Sequence, residues 1–579
     1  MGYKDLYNFW VSNSYFDDET KKELRTIENN DAEIKERFYK NLEFGTAGLR
    51  GIIGAGTNRI NVYTVRKASK GLANFVCKQG DEAKKRGIVI AYDSRFMSTE
   101  FAKEAARVFT ANGINTYLFD ELRPVPELSF AVRHLGAEAG IVITASHNPK
   151  EYNGYKVYGS DGGQIPLDAA KIISKEIEDI ADITTIEVIT VEEAKEKNLL
   201  TIIGKEVDDV YINNLKTLSI NPEIIKERPD FKIVYTAIHG TGNKPVRRIL
   251  KEVGFENILV VPEQELPDCE FSTVASPNPE NIEALELAIN LAKKENVDLV
   301  IGTDPDCDRV GVAIRNKEGE YIGLTGNQIG SLLLDYILSQ KSEKGILPKN
   351  GFVVKTIVST ELARKIANYY GIELIETLTG FKFIGEKIKQ LDEFGDKKYL
   401  FGFEESYGYL AGTFARDKDG VVSSMLIAEM AAYYNKKGMT LYEGLQELYK
   451  KYGYYIEGVK SYTLKGIDGQ DRIRNTMESL RNKNENMIGN VKLKAKRDYK
   501  KGEKFNFETN QKEILDLPIS DVLYYETKEN EWFCVRPSGT EPKIKVYFGV
   551  STDSLEASKE KLENLKENVL EQVEKMLYN

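Results

Sequence analysis

Short apolar runs alternate with amphipathic segments along the first three quarters of the chain. The runs at 87–93 and 141–145 are almost entirely apolar, whereas the segment at 99–113 between them repeats its apolar residues at helical spacing. The same alternation begins again at 232–238 and at 352–358. Buried strands separated by helices predict largely parallel or mixed sheets that are covered on both faces.

The two ends of the chain follow other patterns. Residues 1–40 predict polar, acidic helices, and a long helix is expected over 278–296 in the middle of the chain. After residue 450, alternating or aromatic strands follow one another with little helix between them, until an amphipathic helix over 554–577 closes the chain. The fold class is therefore α/β, with three related α/β domains and a C-terminal α+β domain. We place the four domains, the first with an N-terminal extension, at residues 1–205, 206–320, 321–450 and 451–579.

Composition narrows the classes of function. The chain has 579 residues and a net charge of −10 at pH 7, with 41% hydrophobic and 29% charged residues, values typical of an ordered globular protein. The acidic balance argues against a nucleic-acid coat or a membrane-surface binder. No apolar run approaches the ~18 residues that span a bilayer, and the N-terminus lacks the basic-then-apolar pattern of a secretory leader.

The usage of cysteine and histidine argues against a disulfide scaffold and against a zinc centre. The four cysteines lie far apart without a CxxC pair, and the three histidines share no HExxH spacing. Isolated cysteines suit a reducing compartment, so we expect a cytoplasmic protein.

Three buried strands are followed by unusual polar loops, at the edge where open parallel sheets bind ligands. The first loop, 144–159, presents Ser146 just past the strand and also contains Lys156. GxSxG is absent, so the loop is not a hydrolase elbow. His147 is not expected to be a base for Ser146, because neighbouring side chains of an extended backbone point in opposite directions. A serine that only caps a turn is the alternative interpretation.

The second loop carries alternating carboxylates. Asp304, Asp306 and Asp308 follow an apolar strand, separated by a proline and a cysteine. Three such groups repel one another without a cation, and ligation by oxygen alone favours Mg²⁺. Arg309 occupies the glycine position of an EF-hand, which excludes that loop. Arg309 could instead hold a phosphate or a neighbouring carboxylate, and solvated loop carboxylates remain the alternative for the three acids.

Two further loops carry candidate ligand-binding residues. The loop FEES offers Glu404 and Ser406, short acceptors that suit sugar hydroxyls, although a plain surface turn has the same composition. The loop RPSGTEPK combines Arg536 and Lys543 with hydroxyls and a glycine, which is the composition of a phosphate cradle. It lacks the P-loop pattern, and a bare hairpin turn is the alternative.

Together these motifs resemble those of the α-D-phosphohexomutase superfamily. TASHNP, TDPDCDR, FEES and RPSGTEP stand in the family's order, one in each predicted domain, and FGTAGLRG, YDSR and TLTGFKFIG match as well. The resemblance covers nearly the whole chain and is greatest to the long bacterial α-phosphoglucomutases and their phosphopentomutase relatives. It implies a four-domain, heart-shaped architecture around a central cleft.

The resemblance also implies a role for each motif. Ser146 matches the serine that carries the phosphoryl group, and the implied Mg²⁺ ligands are Ser146, Asp304, Asp306 and Asp308. The implied catalytic residues are Ser146, Lys156, Lys382, Arg50, His147 and Arg309. The implied substrate-binding residues are Arg95, Thr379, Gly380, Glu404, Ser406, Arg536, Ser538, Gly539, Thr540 and Lys543.

The chain departs from the family pattern around the sugar loop. Phe403 stands where many members have glycine, and Tyr407 and Gly408 follow where some members carry a histidine that can transfer a proton. This places more weight on Lys382 or Lys156 as the general base and leaves the choice between them open.

The implied reaction is the interconversion of glucose 1-phosphate and glucose 6-phosphate through a phosphoserine and glucose 1,6-bisphosphate. Mg²⁺ is the implied cofactor, and glucose 1,6-bisphosphate is the implied activator. The expected partners are sugar phosphates, without nucleic acid or membrane, and the expected state is a monomer or weak dimer. The alternatives are phosphopentomutase or phosphomannomutase activity, chemistry through an aspartyl-phosphate, or a sugar-phosphate-binding regulator.

Overall fold

The computed structural model describes residues 2–45, 48–464, 467–483, 485–538 and 543–578. The chain divides into two compact units. The first unit consists of Met1–Thr325, Ile384–Phe401 and Ser406–Leu441. The second unit consists of Gly326–Phe383, Gly402–Glu405 and Tyr442–Asn579. Among the described residues, none of the helices is both long and apolar enough to cross a bilayer.

Short helices form the N-terminal extension, as the sequence predicts. They are α1 (Tyr3–Ser12), α2 (Asp18–Arg25) and α3 (Asp31–Phe38). Trp10 of α1 and Phe38 of α3 are buried in one aromatic cluster with Phe16, which lies between α1 and α2. Trp10 stacks on Phe16 with ring centroids 4.3 Å apart, so the extension has a small core of its own.

The first domain is a mixed sheet covered by helices. Its elements are β1 (Gly48–Ile52), α4 (Val62–Lys78), α5 (Asp81–Arg86), β2 (Ile88–Tyr92), α6 (Ser98–Ala111), β3 (Thr116–Phe119), α7 (Val125–His134), β4 (Ala139–Ile143), β5 (Tyr152–Gly159), α8 (Leu167–Glu178), α9 (Val191–Glu196) and β6 (Leu200–Ile203). The strand order is β1-β5-β4-β2-β3-β6. Strands β4, β2, β3 and β6 run parallel to one another. Strand β5 is antiparallel to both β4 and β1.

The second domain repeats this architecture. Its elements are α10 (Lys205–Lys216), α11 (Pro222–Glu227), β7 (Lys232–Thr236), α12 (Asn243–Val253), β8 (Asn257–Val260), α13 (Glu286–Glu295), β9 (Leu299–Thr303), β10 (Val310–Arg315) and β11 (Tyr321–Leu324). The strand order is β11-β10-β9-β7-β8. Both β8 and β9 are parallel to β7, and every residue of β9 is buried. Strands β4 and β9 therefore each deliver a polar loop from their carboxyl ends.

The next stretch of the chain contributes to both units. Its elements are α14 (Gly326–Glu343), β12 (Gly351–Thr356), α15 (Leu362–Tyr369), β13 (Glu373–Thr377), α16 (Phe381–Ile388), β14 (Lys398–Glu404), β15 (Gly408–Ala411), α17 (Gly420–Lys436) and α18 (Leu441–Tyr452). In the second unit, β12 and β13 pair in parallel. In the first unit, α17 packs on α11 and α12.

The C-terminal domain is an antiparallel sheet with helices packed on it. Its elements are β16 (Tyr454–Thr463), α19 (Ile467–Asn482), β17 (Met487–Ile488), β18 (Val491–Asp498), β19 (Glu503–Asn506), β20 (Gln511–Ile514), β21 (Leu523–Thr527), β22 (Trp532–Pro537), β23 (Lys543–Thr552) and α20 (Leu555–Tyr578). The sheet follows the order β16-β23-β22-β21-β18-β19-β20. Helices α19 and α20 share a core with its strands. The predicted fold class, three α/β domains followed by an α+β domain, is confirmed.

Three local predictions were wrong. The long helix over 278–296 is only α13, preceded by a 3₁₀ turn at Ile282–Leu285. Pro279 lacks the N–H that a helix needs and disfavours helix at the residue before it. The sequence also missed α19, whose buried Ile473, Met477 and Leu480 are spaced by four and three residues among charged side chains. Residues 144–159 are not one loop, because β5 occupies the second half.

Candidate active site

Ser146 lies in the turn between β4 and β5, and its backbone is left-handed, with φ at 52°. The backbone N–H of Ser146 donates to Thr144 Oγ1 over 2.8 Å. The turn lies close to Gly154 of β5, where a Cβ would come within 2.4 Å of the Thr144 carbonyl oxygen. A left-handed residue with a side chain costs roughly 1–3 kcal/mol, so the surroundings must hold this turn in place.

The guanidinium of Arg95 provides that support. Its Nη2 atom donates to the carbonyl oxygens of Ser146, over 2.6 Å, and Asn148. Its Nη1 atom donates to the carbonyl oxygens of Pro149 and Tyr152 over 2.9 and 3.0 Å. The Arg95 side chain is 0% exposed. The geometry therefore makes Arg95 a positioning residue for the serine turn, and its predicted contact with substrate stays a prediction.

Three buried carboxylates follow β9. Oxygen atoms from Asp304, Asp306 and Asp308 lie within 4.8 Å of one another. Asp304 Oδ1 accepts the backbone N–H groups of Asp308 and Arg309 over 3.0 and 2.9 Å. The Oδ1 atoms of Asp306 and Asp308 are buried without a hydrogen-bond partner among the described residues. Because the donors are all oxygen and two of them lack partners, the cluster fits a hard divalent cation.

The serine and the acidic cluster meet directly. Ser146 Oγ donates to Asp304 Oδ2 over 2.9 Å. The left-handed backbone also brings Ser146 Oγ within 3.2 Å of His147 Nδ1, so the expectation that the two side chains point apart was wrong. Burial and then the charges of Arg309 and Arg50 hold the pKa of His147 well below its usual value. His147 is therefore a neutral neighbour of the serine hydroxyl.

Cations surround the three acids. Lys156 Nζ lies 2.8 Å from Asp306 Oδ2 and 3.5 Å from Asp308 Oδ2. Lys418 Nζ lies 3.2 Å from Asp308 Oδ2. Burial alone would raise the pKa of Asp308, but Lys418 and Lys156 hold it below its usual value. The pKa of Asp304 is raised well above its usual value by burial and by the other two carboxylates.

Lys418 is a site residue that sequence reasoning missed. It lies in the run ARDKDG between β15 and α17, and its Nζ atom is also 3.1 Å from Asp417 Oδ1. Asp417 is held by the Tyr158 hydroxyl and the Gln164 amide, which donate to its Oδ2 over 2.8 and 2.9 Å. The available signal was a run of charged residues between a buried strand and a buried helix.

Two predicted basic residues of the first unit lie beside these groups. Arg50, on β1, donates from Nη1 to the side-chain oxygen of Asn148 over 3.1 Å. Arg309 forms an ion pair with Glu280, and its Nε atom lies 3.9 Å from Asp308 Oδ1. The structure therefore brings Arg50, Lys156, Arg309 and the three acids around the serine turn, while their catalytic roles stay predictions.

In the second unit, Glu405 of FEES and Arg536 of RPSGTEPK both act electrostatically on Tyr547. Glu404 ends β14, and the Thr356 hydroxyl donates to Glu405 Oε2 over 3.1 Å. Arg536 lies on β22 opposite Lys545 of β23, and Tyr547 lies two residues further along β23, opposite Cys534. Burial and then Glu405 raise the pKa of Tyr547, and Arg536 opposes them. The charges of Glu405 and Arg536 therefore affect the pKa of the same phenol, that of Tyr547.

The other predicted residues lie in several different segments. Thr379 and Gly380 precede α16, and Lys382 Nζ lies 5.1 Å from the centroid of the Phe383 ring. Ser406 belongs to the first unit. The remaining candidates belong to the RPSGTEPK loop, in which the N–H of Ser538 donates to the carbonyl oxygen of Lys543 over 2.7 Å, and Gly539 and Thr540 lie outside the described residues.

Comparison with known proteins assigns each region to one family. The phosphoglucomutase/phosphomannomutase family models match domain I (alpha/beta/alpha) over residues 41–184, domain II (alpha/beta/alpha) over 209–319, domain III (alpha/beta/alpha) over 325–452 and the C-terminal domain over 490–571. Each family domain contains one of the motifs that the sequence singled out.

Relatives and solved structures agree with this assignment. A phosphoglucomutase of Staphylococcus aureus strain MRSA252 is 39% identical over 524 residues, which cover 90% of this chain and 92% of the relative. The phosphoglucomutase of strain USA300 is 38% identical over 536 residues, covering 92% and 94%. The open form of parafusin from Paramecium shares the fold at 19% identity and TM-score 0.68, covering 93% of this chain and 95% of that one. A phosphomannomutase-like protein of Thermus thermophilus does so at 22% identity and TM-score 0.66, covering 93% and 100%. This chain belongs to the phosphoglucomutase/phosphomannomutase family.

Proposed function

We propose that the protein is a phosphoglucomutase that interconverts glucose 1-phosphate and glucose 6-phosphate through a phosphoserine at Ser146. The observation that carries the proposal is the 2.9 Å contact between Ser146 Oγ and Asp304 Oδ2, at the edge of a buried cluster of three aspartates. The Staphylococcus aureus relatives that are 38–39% identical to this chain bear the same activity in their names.

Several residues of this chain have separate proposed roles in phosphoryl transfer. Arg95 holds the turn so that the Ser146 hydroxyl points to the acids and is presented for transfer. Phosphoserine at this position gives its phosphoryl group to the free hydroxyl of a sugar monophosphate. The resulting glucose 1,6-bisphosphate reverses its orientation in the site and returns its other phosphoryl group to Ser146. Such transfer depends mainly on positioning and on neutralised charge.

The acidic cluster is proposed to hold Mg²⁺ through Asp304, Asp306 and Asp308. When bound, Mg²⁺ would offset the charge of the transferring oxygens. A phosphoserine adds about −1.5 to −2 charges at neutral pH, and Lys156 and Lys418 supply further positive charge beside the acids.

Lys156 is proposed as a charged partner of the transferring group. Burial alone would lower the pKa of Lys156, but Asp306 and Asp308 raise it above its usual value. Lys156 therefore carries its proton at neutral pH and can donate it, whereas a base must begin without one. Lys382 is the other lysine that the sequence predicts for acid–base work.

The remaining assignments follow from the predicted roles. We propose that Glu404 and Ser406 bind sugar hydroxyls and that the loop from Arg536 binds the phosphate that does not react in a given half-cycle. The charges of Glu405 and Arg536 both affect the pKa of Tyr547, which supports a shared ligand surface there. A cytoplasmic location, which the free cysteines support, is part of the proposal, and so is a monomeric or weakly dimeric state.

The test combines intact mass with turnover. Protein incubated with glucose 1,6-bisphosphate and Mg²⁺ should gain one phosphate, and Ser146→Ala should lose both that phosphate and turnover of glucose 1-phosphate. Ser174→Ala, on the exposed face of α8, is the matched control and should behave like the wild type. Mannose 1-phosphate and ribose 1-phosphate measured in parallel test the specificity. Normal turnover by folded Ser146→Ala protein would contradict the proposal and favour an aspartyl-phosphate.

A further inference from the structure

Strand β7 is followed by a strained turn, residues 238–241. Ile238 and His239 are both left-handed, with φ at 45° and 62°. A β-branched residue rarely adopts this conformation, and such strain is concentrated at functional sites. The N–H of Ile238 donates to Thr236 Oγ1 over 3.1 Å, as the N–H of Ser146 does to Thr144 Oγ1. The strained turn of the second domain is therefore built like the serine turn of the first.

Buried side chains hold the strained turn in this conformation. His239 is 3% exposed, and its Nδ1 atom donates to the carbonyl oxygen of Leu266 over 3.0 Å. Its Nε2 atom lies 2.8 Å from the hydroxyl oxygen of Thr273. The side-chain amide of Gln264 donates to the same hydroxyl oxygen over 3.1 Å and accepts the hydroxyl of Thr236 over 2.7 Å. Both ring nitrogens of His239 are thus used to hold the turn.

The strained turn packs directly on the acidic loop, residues 304–308. The N–H and the hydroxyl of Thr241 both donate to the carbonyl oxygen of Pro305, over 2.8 and 2.9 Å. A Cβ on Gly240 would come within 2.5 Å of Pro305 Cα, so the approach requires glycine. The turn therefore places two donors on the residue that separates Asp304 from Asp306.

Two other elements hold the next carbonyl groups of the acidic loop. The N–H of Val125, at the start of α7, donates to the carbonyl oxygen of Asp306 over 2.9 Å. The N–H of Gly420, at the start of α17, donates to that of Cys307 over 3.0 Å, and Cys307 is itself left-handed, with φ at 52°. Three successive carbonyl groups are thus bonded to three separate segments of the first unit. The backbone of the acidic loop is fixed by these segments, while its carboxylates converge.

We infer that Thr241 is a positioning residue for the acidic cluster, because its hydroxyl holds the Pro305 carbonyl and so keeps Asp304 and Asp306 at the spacing that a small divalent cation needs. Mg²⁺ demands nearly ideal geometry, whereas Ca²⁺ accepts longer and more flexible ligation. Without the hydroxyl, the loop can relax under the mutual repulsion of its carboxylates, and Mg²⁺ should lose more affinity than Ca²⁺. The inference rests on the proposed function only in that the cluster holds Mg²⁺.

Calorimetric titration of the full-length protein with Mg²⁺ and with Ca²⁺ tests the role of the hydroxyl. Thr241→Val keeps the shape and the N–H bond, and it should weaken Mg²⁺ binding about 3- to 10-fold, the effect of one hydrogen bond. Ca²⁺ binding should change by less than about twofold. Thr241→Ser should restore the wild-type ratio of the two affinities. Thr110→Val is the matched control, because Thr110 is 1% exposed and its hydroxyl donates to the carbonyl oxygen of Ala106 within α6.

Hydrogen exchange tests the same bonds without any substitution. In the metal-free wild type, the amides of Thr241, Val125 and Gly420 should already exchange slowly, because the loop is held before a cation binds. Fast exchange at Thr241 would overturn the inference. An unchanged Mg²⁺ affinity in folded Thr241→Val protein, an equal loss for both cations, no recovery in Thr241→Ser or the same loss in Thr110→Val would overturn it as well.

Titration of Asp306→Asn separates this inference from the proposed function. This variant should lose Mg²⁺ binding, which locates the cation at the acidic cluster independently of Thr241. Wild-type protein that binds no Mg²⁺, or Asp306→Asn protein that binds it undiminished, would contradict the proposed metal site and the inference with it. A contrary result confined to Thr241 would overturn the inference alone and leave that metal site standing.

Discussion

The clamp formed by Arg95 makes a prediction that separates positioning from substrate binding. Arg95→Met removes the four bonds from the guanidinium to the carbonyl oxygens of the serine turn. It also leaves Asp93 buried without its cationic partner. Asp93 Oδ2 lies 3.5 Å from Arg95 Nε, and both side chains are 0% exposed. Arg95→Lys is the matched control, since it keeps the charge opposite Asp93 but cannot bond four carbonyl oxygens at once.

The size of the effect follows from the strain that the clamp offsets. Removing one partner of a buried charged pair costs roughly 3–5 kcal/mol. The left-handed backbone of Ser146 stores roughly 1–3 kcal/mol. Once the clamp is lost, only the bonds of Ser146 to Thr144 and Asp304 oppose that strain, and each 1.4 kcal/mol lowers the population of the active turn about tenfold. We therefore expect kcat to fall about 10- to 100-fold in Arg95→Met.

Steady-state kinetics and hydrogen exchange together distinguish a positioning role of Arg95 from a contact with substrate. A positioning role predicts a lower kcat with nearly unchanged KM for glucose 1-phosphate, together with faster amide exchange in residues 146–152. Arg95→Lys should lie between the methionine variant and the wild type in both measurements. A raised KM with normal kcat and unchanged exchange would refute the clamp and support the substrate contact that the sequence predicts.

Three further perturbations test other parts of the structure. Asp306→Asn should reduce turnover by ~10²-fold or more if the cluster holds a catalytic cation. Because one of three mutually repelling carboxylates is removed, Tm in a thermal melt should stay unchanged or rise slightly. An unchanged turnover would exclude the cluster from the chemistry. Arg536→Ala should weaken the binding of glucose 1-phosphate and glucose 1,6-bisphosphate alike, by ~1.5–3 kcal/mol for a lost charge-assisted contact, and calorimetry that finds equal affinities would exclude the loop from the site. Burial raises the pKa of Glu457 from 4.5 to about 7, so the folded protein binds more protons than the unfolded chain in this range and stability should fall as pH rises from about 5 to about 7. Glu457→Gln should flatten Tm across that range, and an identical pH profile would contradict the assignment.

The parts of the fold that the sequence predicts are those governed by local pattern. Apolar runs such as 141–145 and 298–304 become β4 and β9 because a strand buried on both faces needs no polar residues. The polar loops after these strands then meet, because the carboxyl ends of parallel strands mark the ligand edge. The pattern fails at α19, where tertiary packing uses a narrow apolar stripe within a highly charged segment.

The sequence predicts a site residue only where residues next to it in the chain indicate its function. The three aspartates carry their signal in their own spacing, and the structure places them together. The contact between Ser146 and His147 carries no such signal, because it depends on a left-handed backbone that Arg95 holds from another strand-end loop. Lys418 reaches the cluster from a segment more than a hundred residues away. Distant groups that fix a backbone or share a charge therefore leave no local pattern, and here they are the groups that determine how Ser146 is presented.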